Sequence, residues 1–296
     1  MKRNNLNKIK TSLLGAASLM LVFSSCKKDG NPNNLPDVNP DDFAGTIDGY
    51  RSSDEVFPEN LVAYWNFDNN TNENLTNSAP TTASNASLVD GGVRGRALNL
   101  NAGFLYYARQ FPKFIPDSLR NFSISVWVKI LNNGSRRTML MQLARPNMLN
   151  GNINFNLNTN QFPASNTTTL RIQPTFMTQT GGLQDNLNTT VSPTIGMDKW
   201  THIVITYDRQ TGVFHNYADG VRVGNFPNRG TVNTFFCHEP NEFIIGSNYN
   251  GIPGKAVNPD ASFAPMTGQI DEIRVYNRAL GEAFVRALFN LGRANK

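Results

Sequence analysis

Residues 122–130 read FSISVWVKI. Phe122, Ile124, Val126, Val128 and Ile130 alternate with Ser123, Ser125, Trp127 and Lys129. Side chains on a strand point to opposite faces in turn, so this period of two predicts a strand with one apolar face. The same period recurs outward along the chain. Leu61, Ala63, Trp65 and Phe67 share a face in 61–67, and Ile153, Phe155 and Leu157 alternate with asparagines in 152–158. Residues 200–207, 213–218, 221–226 and 268–276 are further strand candidates. Asp219-Gly220 between two of them predicts a two-residue hairpin turn, because Gly accepts positive φ without strain. One helix is expected at Glu282–Leu291, where Phe284, Leu288 and Leu291 fall at i, i+4 and i+7. Short strands bounded by Asn, Gly and Pro, with no internal linker, predict one all-β sandwich over 58–296. The Asn-, Thr- and Pro-rich stretches 144–195 and 225–266 are expected to be long loops added to it.

The N-terminal segment reads differently. Lys2, Arg3, Lys8 and Lys10 precede an apolar stretch from Thr11 to Phe23, followed by Ser24, Ser25 and Cys26. A spanning helix needs about 20 apolar residues, so this stretch suits a cleavable signal instead. The small-small-Cys ending resembles the lipobox of bacterial lipoproteins, with Phe23 departing from the usual Leu. The resemblance implies a signal peptide at 1–25 and lipidation of Cys26. It implies an outer-membrane protein held through its lipid anchor only, facing outward. Residues 26–57 are expected to be a flexible tether, since KKDGNPNNLPDVNPDD has almost nothing to bury. Such a tether would reach about 30 Å. Lys27, Lys28 and Asp29 weakly resemble the surface-export signal of some Gram-negative lipoproteins.

The chain has two cysteines, so lipidation of Cys26 leaves Cys237 unpaired. The formal net charge of +5 includes the four basic residues of 1–25 and falls to +1 without them. Basicity therefore gives no support to nucleic-acid binding.

Four segments in order, LVAYWNFD (61–68), FSISVWVK (122–129), WTHIVITYD with YADG (200–208, 217–220) and GQIDEIRVYNRAL (268–280), resemble bacterial laminin-G-like domains. Gly95-Arg96-Ala97-Leu98 fits the short strand after that family's first loop. The resemblance implies a concanavalin A-like jelly roll of two antiparallel sheets with a short C-terminal helix. It also implies carbohydrate or protein recognition and often a bound calcium; it does not imply catalysis.

The residues agree with a non-enzyme. Glycosidases of this architecture need two carboxylates flanking the scissile bond. The Glu-x-Asp-x-x-Glu pattern is absent, and Asp271 and Glu272 are adjacent and so expected on opposite faces. Glu239 and Glu242 lie in a Pro-containing loop. No Gly-x-Ser-x-Gly or His-Glu-x-x-His occurs. His202 and His215 alternate with apolar residues as ordinary sheet positions. Cys237, His238 and Glu239 stand in a row, a spacing that rarely converges on one zinc.

Sugar binding needs flat apolar surfaces and planar polar groups. Trp65 and Trp200 lie in the family motifs and are read as core. Trp127 points away from the apolar face, as do Asn154, Asn156, Arg171 and Gln173. If these strands share the concave sheet, they form a glycan platform. If a loop covers Trp127, the asparagine face is merely solvated. Tyr249, in the loop GSNYNGIPG, is a second candidate stacker. The expected ligand is therefore a polysaccharide or oligosaccharide, captured for uptake. The competing expectation is an adhesion or assembly module binding another envelope protein.

Asp271 shares parity with Ile273 and Val275, which aims a carboxylate at the apolar side. Such a group must find a cation or several N–H donors. The resemblance pairs it with Asp68 in a structural calcium site, to which Asn70 and Gly268 would add oxygens.

Overall fold

The computed structural model describes residues 44–189, 192–227 and 235–296. Residues 1–43, with the expected signal and Cys26, lie outside that range. Gly45–Lys296 forms one compact unit. Its strands are β1 (Leu61–Trp65), β2 (Thr82–Asp90), β3 (Arg96–Tyr107), β4 (Phe122–Ile130), β5 (Arg137–Ala144), β6 (Ile153–Leu157) and β7 (Ile172–Met177). They continue as β8 (Leu183–Asp185), β9 (Gly196–Asp208), β10 (Val213–Ala218), β11 (Val221–Phe226), β12 (Glu242–Ile245), β13 (Phe263–Ala264) and β14 (Met266–Tyr276), with helix α1 at Glu282–Arg293.

The hydrogen-bonded path runs β11-β10-β9-β4-β14-β3-β12-β5-β6-β7-β8, with β1 on β14, β2 on β3 and β13 on β5. All pairs are antiparallel except β13 with β5. Strands far apart on that path share one core. Ile124, Val126 and Val128 of β4 lie in the same apolar cluster as Ile153, Phe155 and Leu157 of β6. The sheet therefore curls until its two halves face each other, which buries the apolar face that each alternating strand presents. Trp65 is wholly buried there, stacked on Phe243 at 4.7 Å, and its Nε1 donates to the Tyr107 hydroxyl at 2.9 Å. The Asp219-Gly220 turn has φ of 48° and 77° and joins Ala218 to Val221, as expected for its hairpin.

Two differences from the sequence reading stand out. The stretches 144–195 and 225–266 contain, besides the expected strand β6, the strands β7, β8, β12 and β13 as well as loops. Short apolar groups such as Phe243-Ile244-Ile245 sit among Asn and Pro, and cross-strand pairing to Leu143, Gln142 and Met141 makes them strands. The compact unit also begins at Gly45, not at residue 58. Val56 is buried in a second apolar cluster with Val285, Leu288 and Leu291 of α1, and Ile47, Tyr50 and Phe57 pack against it. The Phe57 and Phe284 rings meet edge to face at 4.6 Å. Ser53 N–H and Oγ both donate to the Lys296 carbonyl, and Asn290 Nδ2 donates to Asp48 at 2.7 Å. Spaced apolar residues at 47, 50, 56 and 57 give this segment enough area to bury, which the run before it lacks.

Candidate functional site

The outer face of β4 and β9 carries the site. Alternation puts Ser125 and Trp127 of β4 opposite the main core, and the structure keeps them there. Trp127 nonetheless is only 4% exposed. Helix α1 lies over it: Phe289 stacks on the indole at 5.7 Å, and a Cβ at Gly292 would collide with its six-membered ring. The cover is thus a helix, not the loop that the sequence suggested. Beneath it, His202 Nε2 meets Ser125 Oγ at 2.8 Å, and its ring stacks on Trp127 at 4.8 Å. Burial, with help from Arg274, pushes the His202 pKa down to about 3, so the imidazole is neutral.

At the C-terminal end of α1 the cover stops, and an open cleft of about 410 Å³ remains. Trp127, Trp200 and Phe289 supply its aromatic walls, and Lys199, Asp219 and Arg293 its charges. Trp200 is half-buried rather than core. Ile203, Ile205 and Tyr207 of β9 face the core, so the period of two places Trp200 outward with His202. Its Nε1 donates to the Gly91 carbonyl at 3.1 Å, and Lys129 Nζ stands 4.8 Å from its ring centre. Asp219 is held by the hairpin turn: one oxygen accepts the His202 N–H at 2.9 Å, the other faces Lys199 Nζ at 3.3 Å. Strand parity was the signal for Trp200. Phe289 and Arg293 had none, because only the packing of α1 brings them here.

The rest of the expected platform lies elsewhere. Asn154 and Asn156 are on β6, on the other half of the curled sheet from Trp127. Both are buried, at 1% and 2% exposed. Asn154 Oδ1 accepts from Gln142 Nε2 at 2.7 Å and the Gly151 N–H at 2.9 Å, and its amide donates to the Gly151 carbonyl. Gln173 donates to Asp185 at 2.8 Å, and Arg171 reaches the Thr189 carbonyl at 3.3 Å. Tyr249 is 1% exposed among Phe104, Tyr106 and Ile252 and offers no face for stacking. Loops folded over β5 and β6 explain both departures.

The acidic pair on β14 also departs from simple alternation. Glu272 has φ of 50°, and between Asp271 and Arg274 the register on β4 slips by one residue. This bulge inserts one residue and flips parity. Asp271 therefore pairs with Trp127 and lies on the outer face, not the apolar one, while Ile273 returns to the core. Glu272 turns to the same side, where it bonds the Tyr64 hydroxyl at 2.9 Å and Arg274 at 2.5 Å. The two acids thus do not point to opposite faces. Burial first, and Glu272 next, push the Asp271 pKa up to about 8.

Asp271 satisfies its oxygens with backbone. Oδ2 accepts from Val93 N–H at 2.7 Å and Arg94 N–H at 3.3 Å, and Oδ1 from Glu272 N–H at 2.8 Å. Gly92 admits this contact: a Cβ there would lie 2.7 Å from Oδ2. Asp68 Oδ1 accepts from Arg96 N–H at 3.2 Å, so both acids tie down the same 92–96 loop. Asn70 is exposed and bonds the Asn72 N–H. Gly268 is paired within the sheet against Leu100. No group of three acidic, His or Cys side chains able to hold a metal occurs among the described residues. Asp68 and Asp271 both reach the 92–96 loop, and calcium, which takes six to eight oxygens, would need further donors beside these two carboxylates. Cys237, His238 and Glu239 likewise form no metal cluster; the thiol is buried and its pKa pushed up to about 12.

The protein is a curled antiparallel β-sandwich with an aromatic, charge-edged cleft on one outer face. The chain belongs to the concanavalin A-like lectin/glucanases superfamily, whose profile matches residues 109–286. No curated protein matches it. The binding domain of Paraclostridial Mosquitocidal Protein 1 is similar at 18% identity and TM-score 0.54, covering 78% of this chain; this chain covers 52% of that one. Domain 4 of AbnA, a GH43 extracellular arabinanase from Geobacillus stearothermophilus, was solved with arabinotriose; identity is 23%, coverage 77% and 97%, TM-score 0.49. The sialidase of Trypanosoma rangeli, solved with 2,3-difluorosialic acid, has 17% identity, coverage 78% and 33%, TM-score 0.49. At these identities the likeness is one of fold.

Proposed function

We propose that the protein is a non-catalytic glycan-binding lipoprotein of the cell envelope that captures polysaccharide through the Trp127–Trp200–Phe289 cleft. The carrying observation is that cleft. It offers indole and phenyl surface for the C–H faces of a sugar, edged by Lys199, Asp219 and Arg293 for its hydroxyls. A lack of catalysis fits the acids. Hydrolysis needs two carboxylates at the sugar, and Asp219 is the single acid among the residues lining the cleft. Asp271 and Glu272 are buried, at 0% and 4% exposed, Asp271 against the 92–96 loop and Glu272 beside a space of about 10 Å³.

Affinity electrophoresis through gels containing different polysaccharides tests the reading. Retardation by at least one is expected, and Trp200→Ala should abolish it while leaving the melting temperature within a few degrees. Loss of retardation in no variant, or no retardation at all, would leave adhesion to an envelope protein as the better account. For the anchor, Cys26→Ser should release the protein from the outer-membrane fraction. Retention of the variant in that fraction would sink the lipidation reading.

A further inference from the structure

We infer that the saccharide taken by this cleft is an acidic one, bearing carboxylate or sulfate groups. The inference rests on the glycan-binding reading and concerns the same cleft. Three cations stand around it: Lys129, Lys199 and Arg293. The acid that lines it, Asp219, is already engaged at both oxygens, by the His202 N–H and by Lys199. Lys199 is thereby neutralised, and it also donates to the Thr194 carbonyl at 2.7 Å. The other two cations are not neutralised. Among the described residues neither Lys129 nor Arg293 has a carboxylate within 4 Å.

What these two cations do contact is the aromatic wall. Lys129 Nζ lies over the Trp200 ring at 4.8 Å, and the Arg293 guanidinium over the Phe289 ring at 5.8 Å. A ring face holds a cation without consuming its hydrogen-bond donors. Arg293 ends α1, where the helix dipole favours a positive charge, which fixes its place but leaves its fork open. A sugar laid against Trp200 and Phe289 therefore meets two cations with donors to spare and no free anion. Neutral hydroxyls would gain little from that excess of charge. An oxyanion gains a charge-assisted hydrogen bond at each cation, and the planar guanidinium suits the two oxygens of a carboxylate or sulfate.

The full-length protein, purified in detergent, is to be run through gels containing polygalacturonate, dextran sulfate or neutral dextran. Retardation is expected in one or both acidic gels and not in dextran. Which acidic gel retards it separates carboxylate from sulfate recognition. Lys129→Gln with Arg293→Gln should weaken that binding by about tenfold or more, since each change removes a charge-assisted contact. Both positions lie at the surface and neither is in the core. Added salt should weaken binding further. Retardation by dextran equal to that in the acidic gels, unchanged in the double variant, would overturn the acidic inference and leave the glycan reading standing. Retardation that survives Trp200→Ala would show polyelectrolyte attraction elsewhere and overturn it too. No retardation in any gel would overturn the inference, and the glycan reading would then rest on the wider panel of neutral polysaccharides.

Discussion

Two outer faces of the same curled sheet carry polar residues that alternation points away from the core, and they are covered in different ways. On β5 and β6, Gln142 and Asn154 meet the backbone of their own neighbourhood. Gln142 Nε2 donates to the Leu149 carbonyl, its Oε1 accepts the Tyr249 N–H, and Asn154 closes on Gly151. On β4 and β9, Ser125, Trp127 and His202 lie under a helix from the far end of the described chain. Loops mould themselves to a polar face one hydrogen bond at a time. A helix is a rigid rod with an apolar stripe, so it covers what it fits and leaves a cleft where it ends. The candidate site is at that end. Facing outward on a strand is therefore no assurance of meeting solvent, and the manner of cover decides where a ligand can enter.

The largest effect should come from lifting the helix. A chain ending at Gly281 uncovers Trp127 and the cluster of Val285, Leu288 and Leu291, and should lose its cooperative unfolding transition. The graded version, Leu288→Ala, should cost about 2–5 kcal/mol in urea titrations. A smaller loss would mean that α1 is dispensable and the two covers are equivalent. Next, Gly292→Ala and Asn154→Ala probe one cover each. Gly292→Ala pushes a methyl into the Trp127 ring and should cost about 1–3 kcal/mol through overpacking. Its tryptophan emission should shift as well. Asn154→Ala strands the Gly151 N–H, for about 1–3 kcal/mol, with emission unchanged. An emission change in both would deny that the faces are independent.

The helix-covered face should also be the pH-sensitive one. Folded Asp271 keeps its proton up to about 8, against an ordinary 3.8, so the folded state binds more protons between these values and stability falls as pH rises through them. Folded His202 stays neutral down to about 3, against an ordinary 6.5, so its contribution falls as pH drops below 6.5. The two oppose each other from about 4 to 6.5. What remains uncancelled is a loss of stability from about pH 6.5 to 8. Urea midpoints across that range should decline, and Asp271→Asn should flatten the decline. A flat profile in the native protein would show that Asp271 is ionised throughout.

The smallest effect concerns the 92–96 loop. Asp271 is satisfied by three N–H groups and Asp68 by one, so EDTA should leave the melting temperature unchanged. Recovery of several degrees on adding calcium after a chelator-induced drop would show a cation cage closing between the two acids.

Much of the fold was legible in the chain because burial of one face writes itself as a period of two. The alternation in 122–130, the Asp219-Gly220 turn and the amphipathic run at Glu282 each led to the element observed. The same period placed Trp127 outward, and applied to β9 it would have placed Trp200 there too. It failed at Asp271, because a bulge adds one residue without marking the sequence; a Glu at φ of 50° carries no signal as a Gly would.

The sequence by itself determined the periodicities, the C-terminal helix and the excess of outward polar residues, since these are local consequences of which side chains leave water. Only the tertiary structure decided which outward residues meet. Trp127 and Asn154 have the same alternation, yet the curl of the sheet puts them on opposite halves. Phe289 and Arg293 reach Trp200 only because α1 lies across β4 and β9. Such contacts join residues remote in the chain, and the free energy that selects them belongs to the packed pair and to neither segment alone.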